Sequence, residues 1–301
     1  MNSKSRQVKA HIVNAFTVNK TGGNPAGVVL DADHFSDEEM LHIARKIGLS
    51  ETVFVSQSES ETLKLDFFTP NRRIAHCGHA TIAVFSYLAK IGVLGEGEAS
   101  KETVDGPRKI VIREGAAYME QLAPQYTSSD ALCALDVSTQ AILDSLNLEA
   151  DALDPHAPIA CVNTGNRFLI VPVRDGHVLA NISPDMEKIA KISEKLDLIG
   201  FYVFTSDANA TQHHATTRMF APRFAIDEES ATGMAAGPLA CYLREYRQVN
   251  DKTIYIEQGS YMQPKSTSLI TIELEIAEDK ILRLMAGGYG EMDKGICINL
   301  E

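Results

Sequence analysis

The stretch from Arg73 to Leu88 reads Arg-Ile-Ala-His-Cys-Gly-His-Ala-Thr-Ile-Ala-Val-Phe-Ser-Tyr-Leu. Gly78 gives the backbone a place to turn, and the residues from Ala80 to Leu88 are small or apolar nearly all round. This pattern predicts a helix that is buried on every side. A buried helix that begins at a glycine turn presents unpaired N–H groups and the positive end of its dipole to the space in front of it. An anion such as a substrate carboxylate is the expected occupant of that space.

The same pattern recurs later in the chain. Residues 230–243 read Ser-Ala-Thr-Gly-Met-Ala-Ala-Gly-Pro-Leu-Ala-Cys-Tyr-Leu, a second glycine turn followed by a second apolar helix that ends in Tyr-Leu. An aromatic-x-Pro step precedes each helix, and a Gly-Asn pair lies further upstream of each. These are Phe68–Pro70 and Phe220–Pro222, and Gly23-Asn24 and Gly165-Asn166. The chain is therefore predicted to contain two copies of one unit.

Length and composition agree with two ordinary domains. The chain has 301 residues, of which 45% are hydrophobic and 23% are charged, as is typical of globular proteins. The duplication predicts domains over residues 1–124 and 125–301, with the option that the last strand returns to the first domain. Each half mixes several predicted strands with a central helix, which indicates an α+β fold.

Some segments carry more specific predictions. Ser36–Glu39 has capping-box spacing, which predicts the start of a helix. Residues 92–106 read as a polar connection, and residues 123–130 are predicted to link the two domains. Residues 281–285 and 296–300 predict two separate strands in the tail.

The charge balance and the termini bear on partners and location. The net charge is −12 and no Lys/Arg cluster is present, which argues against a nucleic-acid partner. The N-terminus has no apolar signal region, and no uncharged apolar run reaches 18 residues, so no membrane association is expected and a cytoplasmic location is predicted. Five scattered cysteines indicate neither a disulfide framework nor a Cys-x-x-Cys zinc site.

Glu51 is the first candidate for chemistry. It follows an apolar strand entry, between Leu49 and Val53, where a carboxylate would lie partly out of water. Such a carboxylate is a better base toward carbon acids than a solvated one. The alternative is an exposed glutamate at a sheet edge or near a helix cap, because most glutamates are solvated.

Cys77 is the second candidate. It precedes Gly78 at the positive end of the predicted helix, which can lower the pKa of a thiol and create a nucleophile or base, although free cysteines are also commonly small buried hydrophobes. Aligning Pro70 with Pro222, with one residue of slack, places Cys77 opposite Ser230. A two-thiol epimerase is therefore disfavoured, since a serine hydroxyl transfers protons poorly. One-base chemistry, in which a single carboxyl removes a proton and returns it on the same face, stays open.

Two further groups of side chains have both a functional and a structural interpretation. His76 and His79 have the spacing of half a metal site, but no third ligand lies at recognisable spacing, so no metal is expected. His79 is better placed to donate a hydrogen bond to a substrate, or to cap the turn. Residues 227–229 form an acidic run that is either a solvated loop or a means of bringing Glu229 into the site.

Together these segments resemble the PhzF-like family of phenazine biosynthesis, which has the diaminopimelate-epimerase-like fold. The similarity covers nearly the whole chain, and the ordered set of motifs is specific although each motif alone is weak. The motifs are Gly23–Ala26, Leu49–Phe54, Phe68–Pro70, Cys77–Thr81, Arg218–Pro222, Ala231–Gly233 with Ala235–Pro238, and Gln258-Gly259.

The resemblance implies two similar domains, each a curled, barrel-like sheet around a central buried helix, with the active site in the cleft between them and often a homodimer. It also implies a metal- and cofactor-free isomerase in which Glu51 carries the proton and His79 helps to hold the substrate, a small carboxylated metabolite. The predicted substrate-binding residues are Asn24, Cys77, Gly78, His79, Glu229, Thr232, Gly233 and Met234.

Three positions depart from the pattern of the phenazine enzymes. Glu229 stands where they carry an aspartate, Met234 where they carry a serine, and Cys77 where their residue is not a thiol. The departures argue against a phenazine precursor as substrate and leave the isomerase class in place. Two alternatives stay open: a Cys77-dependent epimerase, racemase or dehydratase of an amino or hydroxy acid, and a non-catalytic, ligand-binding descendant of the fold.

Overall fold

The computed structural model describes residues 6–206 and 212–300, and of Ser129 it describes the backbone alone. The chain divides into two compact units, Met1–Glu120 with Gly287–Glu301, and Gln121–Ala286. The boundary predicted from the sequence lies four residues further on, between residues 124 and 125. The last segment of the chain, from Gly287, groups with the first unit.

Seven α-helices are formed within the described residues. They are α1 (Asp37–Ile47), α2 (Gly78–Lys90), α3 (Ser129–Cys133), α4 (Thr139–Leu146), α5 (Gly176–Ala180), α6 (Met186–Leu196) and α7 (Gly233–Arg247). In this part of the chain, no helix combines the length and the apolar character needed to cross a membrane.

The strands make up most of the remaining regular structure. Over the same residues they are β1 (Arg6–Ala15), β2 (Asn24–Val29), β3 (Thr52–Ser56), β4 (Leu63–Phe68), β5 (Arg73–Ile74), β6 (Gly97–Glu102), β7 (Arg108–Arg113), β8 (Ala116–Leu122), β9 (Gln125–Thr127), β10 (Ala160–Asn163), β11 (Arg167–Pro172), β12 (Gly200–Thr205), β13 (Ala215–Ala221), β14 (Ile226–Glu229), β15 (Thr253–Gln258), β16 (Ser268–Ala277) and β17 (Lys280–Leu300).

The strands of the first unit close into a barrel. Starting from β1, successive neighbours are β2, β3, β4, β6, β7, β8 and β17, and β17 pairs again with β1, where Arg6 lies opposite Leu300. Two of these pairings are parallel, β2 with β3 and β4 with β6. A parallel pair needs a crossover connection, and α1 and α2 provide the two crossovers.

Helix α2 is the central element of the first unit. Every residue from Gly78 to Leu88 is buried, and the helix lies against β1, β2, β3 and β7. The hydroxyl of Ser86 links the helix to the barrel, because it donates to the Gly115 carbonyl at 2.6 Å and accepts from the Gly290 N–H at 2.7 Å. The prediction of a helix buried on every side is confirmed.

The second unit repeats these elements in the same order and direction. β10 and β11 are antiparallel, β11 and β12 are parallel, β12 and β13 are antiparallel, β13 and β15 are parallel, and β15 and β16 are antiparallel. The two crossovers contain α5 with α6, and α7. Helix α7 is buried from Ala235 to Leu243 and lies against β10, β11, β15 and β16. The predicted duplication is confirmed.

Helices α1 and α6 are the amphipathic members of the two copies. In α1 the buried Met40, Ile43 and Ala44 belong to a core that includes Phe54 of β3. Its first turn is closed by a capping box, in which the Ser36 hydroxyl accepts from the Glu39 N–H and the Glu39 carboxylate accepts from the Ser36 N–H. The capping-box spacing therefore predicts the start of α1 correctly.

Three segments differ from the sequence-based expectation. Residues 92–106 read as a polar connection, yet they contain β6, of which only Lys101 is buried. The predicted linker over residues 123–130 contains β9 and the start of α3. The two predicted tail strands, residues 281–285 and 296–300, are parts of the single long strand β17. Strands with few buried apolar side chains carry little periodic signal, which explains the first two differences.

The Ser86 hydroxyl gives a test of how α2 is held. We expect Ser86→Ala to lower the free energy of unfolding by about 2–4 kcal/mol, because it leaves the partly buried Gly115 carbonyl and the buried Gly290 N–H without their partner. Ser36→Ala, which removes an exposed helix cap, should cost only about 1 kcal/mol. Urea denaturation of both variants measures the difference, and a smaller loss for Ser86→Ala than for Ser36→Ala would contradict the role given to this hydroxyl.

Candidate active site

Glu51 lies at the start of β3, where the chain enters the barrel. Helix α1 ends at Gly48 in the left-handed conformation, and the chain then turns so that the Glu51 carbonyl accepts a hydrogen bond from the Gly27 N–H at 3.0 Å. The Glu51 side chain is 8% exposed. Of the two interpretations of Glu51 that the sequence left open, the carboxylate withdrawn from water is correct, and the exposed glutamate is wrong.

The glycine turn before α2 carries the next two candidates. Cys77 is the N-cap residue with extended backbone angles, Gly78 is the first helical residue and His79 the second. Cys77 and His79 are each 5% exposed. The positive end of the helix therefore begins among buried polar side chains.

The structure brings Glu51, Cys77 and His79 together. His79 Nε2 lies 3.5 Å from Glu51 Oε2, and His79 Nδ1 lies 3.5 Å from Cys77 Sγ. The imidazole thus stands between the thiol and the carboxylate. In a neutral imidazole one nitrogen donates and the other accepts, so a proton that moves onto one nitrogen frees the proton on the other. This geometry suits proton transfer between the thiol, the imidazole and the carboxylate.

Burial sets the protonation state of the thiol. It raises the pKa of Cys77 above its ordinary value, and the neighbouring His79 opposes this shift only in part. The sequence-based argument that the helix terminus could lower this pKa is corrected here, because desolvation outweighs the positive end of the helix. Cys77 is accordingly a neutral thiol at neutral pH and not a ready nucleophile.

Glu51, Cys77 and His79 are also the group of His, Cys and carboxylate side chains, among the described residues, that could share a metal ion. Their potential ligand atoms lie within 4.8 Å of one another. However, the thiol contacts Nδ1 and the carboxylate contacts Nε2, and a single ion can be reached by only one of the two nitrogens. His76, the other half of the spacing noted in the sequence, instead has its Nδ1 2.9 Å from Lys101 Nζ. The contacts of the histidine fit a proton-transfer group better than a metal ligand.

Asn24 is the first residue of β2, the strand next to β3, and it is buried. It lies opposite Ala15 in the pairing of β1 with β2. The preceding Gly23 has a φ of +85°, and a Cβ there would come within 2.4 Å of the Ala15 carbonyl oxygen. Gly23 is therefore required by the close approach of the chain to Ala15, and the role of Asn24 in substrate binding stays a prediction.

The remaining predicted residues surround the glycine turn of the second unit. Glu229 ends β14, Thr232 is the N-cap residue of α7, and Gly233 is its first residue. The Thr232 hydroxyl donates a short hydrogen bond to the Glu229 carboxylate. Met234 is partly exposed, and its sulfur accepts a hydrogen bond from the Asn166 amide at 3.3 Å.

Gln258 holds this second turn in place. It is fully buried, and its amide oxygen accepts from the Thr232 N–H at 3.0 Å and from the Tyr202 hydroxyl at 2.8 Å. Its amide nitrogen donates to the Glu229 carbonyl at 2.6 Å and to the Thr232 hydroxyl at 3.2 Å. All the hydrogen-bonding capacity of the amide is used. In the sequence analysis Gln258 is part of a motif, and no signal in the sequence indicates this role.

The repeat can now be aligned on structure. Cys77 and Thr232 are both N-cap residues before a glycine, so Cys77 corresponds to Thr232. The alignment on Pro70 and Pro222, which paired Cys77 with Ser230, is therefore wrong at this position. The correction leaves the chemical conclusion intact. The second turn offers a hydroxyl where the first offers a thiol, so this position supplies no second thiol.

Comparison with known proteins decides the family. The model of the PhzC-PhzF family, described as phenazine biosynthesis-like protein, matches residues 13–288. The chain belongs to the PhzC-PhzF family. A protein named "uncharacterized isomerase YddE" from Escherichia coli K12 is 32% identical over 236 residues, which is 77% of each chain. An uncharacterized isomerase of Clostridium acetobutylicum is 31% identical over 286 residues, covering 91% of this chain and 92% of that one.

Solved structures agree with this assignment. A PhzF-family phenazine biosynthesis protein of Bacillus anthracis superposes with a TM-score of 0.87 and 27% identity, covering 98% of this PhzC-PhzF chain and all of that one. A hydroxyproline epimerase of Agrobacterium vitis, with bound trans-4-hydroxy-L-proline, has a TM-score of 0.59 at 14% identity and shows the shared fold alone. The predicted family, the diaminopimelate-epimerase-like α+β fold and the isomerase class are confirmed.

The Gln258 amide gives a test of the second turn. We expect Gln258→Leu to lower the free energy of unfolding by about 3 kcal/mol or more, because similar volume is kept while the Thr232 N–H and the Glu229 carbonyl lose their partner. The exposed Gln125 provides the control, since Gln125→Leu should change stability by no more than about 0.5 kcal/mol. Equal unfolding midpoints for the two variants in urea would show that the amide does not hold the turn.

Proposed function

We propose that this PhzC-PhzF protein is a cofactor-independent isomerase that moves a proton on a small carboxylated metabolite, with Glu51 as the general acid and base. The observation that carries the proposal is the burial of the Glu51 carboxylate against His79, at the glycine turn of α2. A carboxylate that is withdrawn from water and held by a neighbour is suited to remove a proton from carbon.

The proton balance follows from a single base. The Glu51 carboxylate removes a proton from a carbon of the substrate. The electron pair of the broken C–H bond is delocalised over the neighbouring atoms of the substrate. Glu51, now a carboxylic acid, delivers a proton to another carbon on the same face. Because the acid proton can exchange with water before it is delivered, hydrogen from the solvent enters the substrate. His79 keeps the carboxylate in one orientation through the contact between its Nε2 and Glu51 Oε2.

The substrate carboxylate would be bound at the start of α2. Gly78 and His79 are the first two residues of this helix, and the N–H groups of a first helical turn have no partner within the helix. The helix dipole favours a negative charge at the same place. Helix α7 begins at Gly233 in the same way.

The other predicted features stay predictions. Asn24, Glu229, Thr232 and Met234 are still proposed to bind substrate. The cleft location of the active site, the homodimer and the cytoplasmic location are expectations from the sequence and the resemblance.

The Cys77 alternative has one observation in its favour, the 3.5 Å contact between the thiol and His79 Nδ1. This contact would let His79 accept the thiol proton and make Cys77 the base of an epimerase, racemase or dehydratase. The raised pKa of the buried thiol and the hydroxyl of Thr232 at the corresponding turn both favour Glu51 instead.

Hydrogen exchange tests the assignment. Small amino and hydroxy acids are incubated with the protein in deuterated water, and incorporation of deuterium is followed by mass spectrometry. For a compound that exchanges, we expect Glu51→Gln to lower the rate by about 100-fold or more, since the amide cannot accept the proton. Cys77→Ala should keep most of the exchange.

The exposed Glu59 gives the matched control, and Glu59→Gln should exchange at the rate of the unaltered protein. Undiminished exchange by Glu51→Gln would rule out Glu51 as the base. Loss of exchange in Cys77→Ala, with Glu51→Gln still active, would establish the thiol chemistry in its place. Ligand binding with neither deuterium exchange nor conversion of the ligand would favour the non-catalytic alternative.

A further inference from the structure

A lysine lies buried behind the glycine turn of the first unit. Lys101 of β6 is 0% exposed, and no carboxylate of a described residue lies within 4.0 Å of its ammonium group. Its Nζ donates to the Thr81 hydroxyl at 2.7 Å, stands 2.9 Å from His76 Nδ1, and lies 5.1 Å from the centre of the Phe67 ring. A buried ammonium without a carboxylate is costly, and an apolar side chain could fill the same space at lower cost.

The hydrogen bonds around Lys101 form a chain of donors that leads from the lysine, through Thr81, to the Cys77 carbonyl. Burial lowers the pKa of His76 to about 3, so its ring is neutral and Nδ1 can accept a hydrogen from the lysine. The Thr81 hydroxyl accepts from Lys101 and donates to the Cys77 carbonyl at 2.7 Å. The lysine is thereby connected to the backbone of the N-cap residue through one hydroxyl.

The Cys77 carbonyl and the Gly78 N–H belong to one peptide group. That carbonyl accepts from both the Thr81 hydroxyl and the Thr81 N–H, the second at 3.3 Å, and is therefore directed into the helix. In a planar trans peptide the N–H points opposite to the carbonyl. The Gly78 N–H is accordingly directed out of the start of α2. Hydrogen bonds in a chain polarise one another, so a donor on the carbonyl strengthens the N–H as a donor.

We infer that Lys101 is a positioning residue which, through the Thr81 hydroxyl, fixes and polarises the Cys77–Gly78 peptide so that the Gly78 N–H is presented to a bound carboxylate. The identity of the ligand rests on the proposed function. The effect of Lys101 on the peptide does not, because it follows from contacts within the first unit.

The charge of Lys101 changes in the physiological range. Burial is the main cause that lowers the pKa of its ammonium to about 7; Arg108 acts in the same sense, and Cys77 and Asp105 act in the opposite sense. At a pH below this pKa, a charged ammonium donates to the Thr81 hydroxyl. At a pH above it, a neutral amine donates a weaker hydrogen bond. The polarisation of the Gly78 N–H therefore weakens as the pH rises through this range.

A single backbone signal reports on this peptide. Cys77–Gly78 is the one place in the sequence where a cysteine precedes a glycine. Labelling cysteine with ¹³C at the carbonyl and glycine with ¹⁵N therefore gives one ¹³C–¹⁵N correlation in the full chain. We expect its carbonyl and amide shifts to titrate with a midpoint of about pH 7. Both Lys101→Met and Thr81→Val should abolish this titration, although Thr81→Val keeps the lysine.

Controls separate this role from general effects on the fold. Lys109, a partly exposed lysine on the neighbouring strand β7, provides the control, and Lys109→Met should leave the signal and its midpoint unchanged. A titration that persists in both Lys101→Met and Thr81→Val would assign it to Cys77, His79 or Glu51 and would overturn the inference. A Cys77–Gly78 signal that does not change with pH in the unaltered protein, and has the same shifts in both variants, would also overturn the inference.

The same signal tests the ligand separately, with sodium acetate as the probe. In the unaltered protein we expect acetate to move the Gly78 amide shift, and in Lys101→Met we expect saturation at a higher concentration. If acetate has no effect while the pH titration depends on Lys101, the carboxylate site of the proposed function is wrong and the positioning role of Lys101 stands. If acetate binds both proteins equally, Lys101 has no effect on the anion.

Discussion

The contact between His79 and Glu51 is the interaction on which the site depends. It joins the first turn of α2 to the residue before β3, with 3.5 Å between Nε2 and Oε2. Two segments separated by 28 positions in the chain must be placed accurately for this contact to form. The parallel pairing of β2 with β3 places Glu51, and the burial of α2 inside the barrel places His79. The contact between them offsets part of the cost of burying two polar side chains.

Each unit uses the same solution to begin a buried helix. A strand runs into a polar turn, a glycine opens the helix, and buried side chains hold the turn from behind. In the second unit the Gln258 amide does this directly, with three hydrogen bonds to Glu229 and Thr232. In the first unit Lys101 does so through Thr81. The duplicated fold thus keeps the geometry of the turn while the side chains that support it, and the N-cap residue itself, have diverged between thiol and hydroxyl.

The sequence predicted those parts of the fold that have a strong local signal. The two buried helices follow from glycine and unbroken small or apolar runs, and the start of α1 follows from its capping box. It could not predict β6, because Lys101 is the single buried residue of that strand and a buried lysine looks like a surface one in a sequence. Strand pairings across the barrel are not local, so the close contact of Glu51 with His79 could be suggested only through the family resemblance.

In the proposed mechanism Glu51 faces the carbon whose proton is moved. A crystal structure of the full chain, grown with a small carboxylate on which the protein catalyses hydrogen exchange, tests this placement. We expect a ligand carboxylate within about 3.2 Å of the Gly78 nitrogen and the exchanging carbon within about 3.5 Å of the Glu51 carboxylate. A ligand bound with its exchanging carbon turned away from Glu51, or bound apart from the α2 turn, would show that the mechanism is wrong.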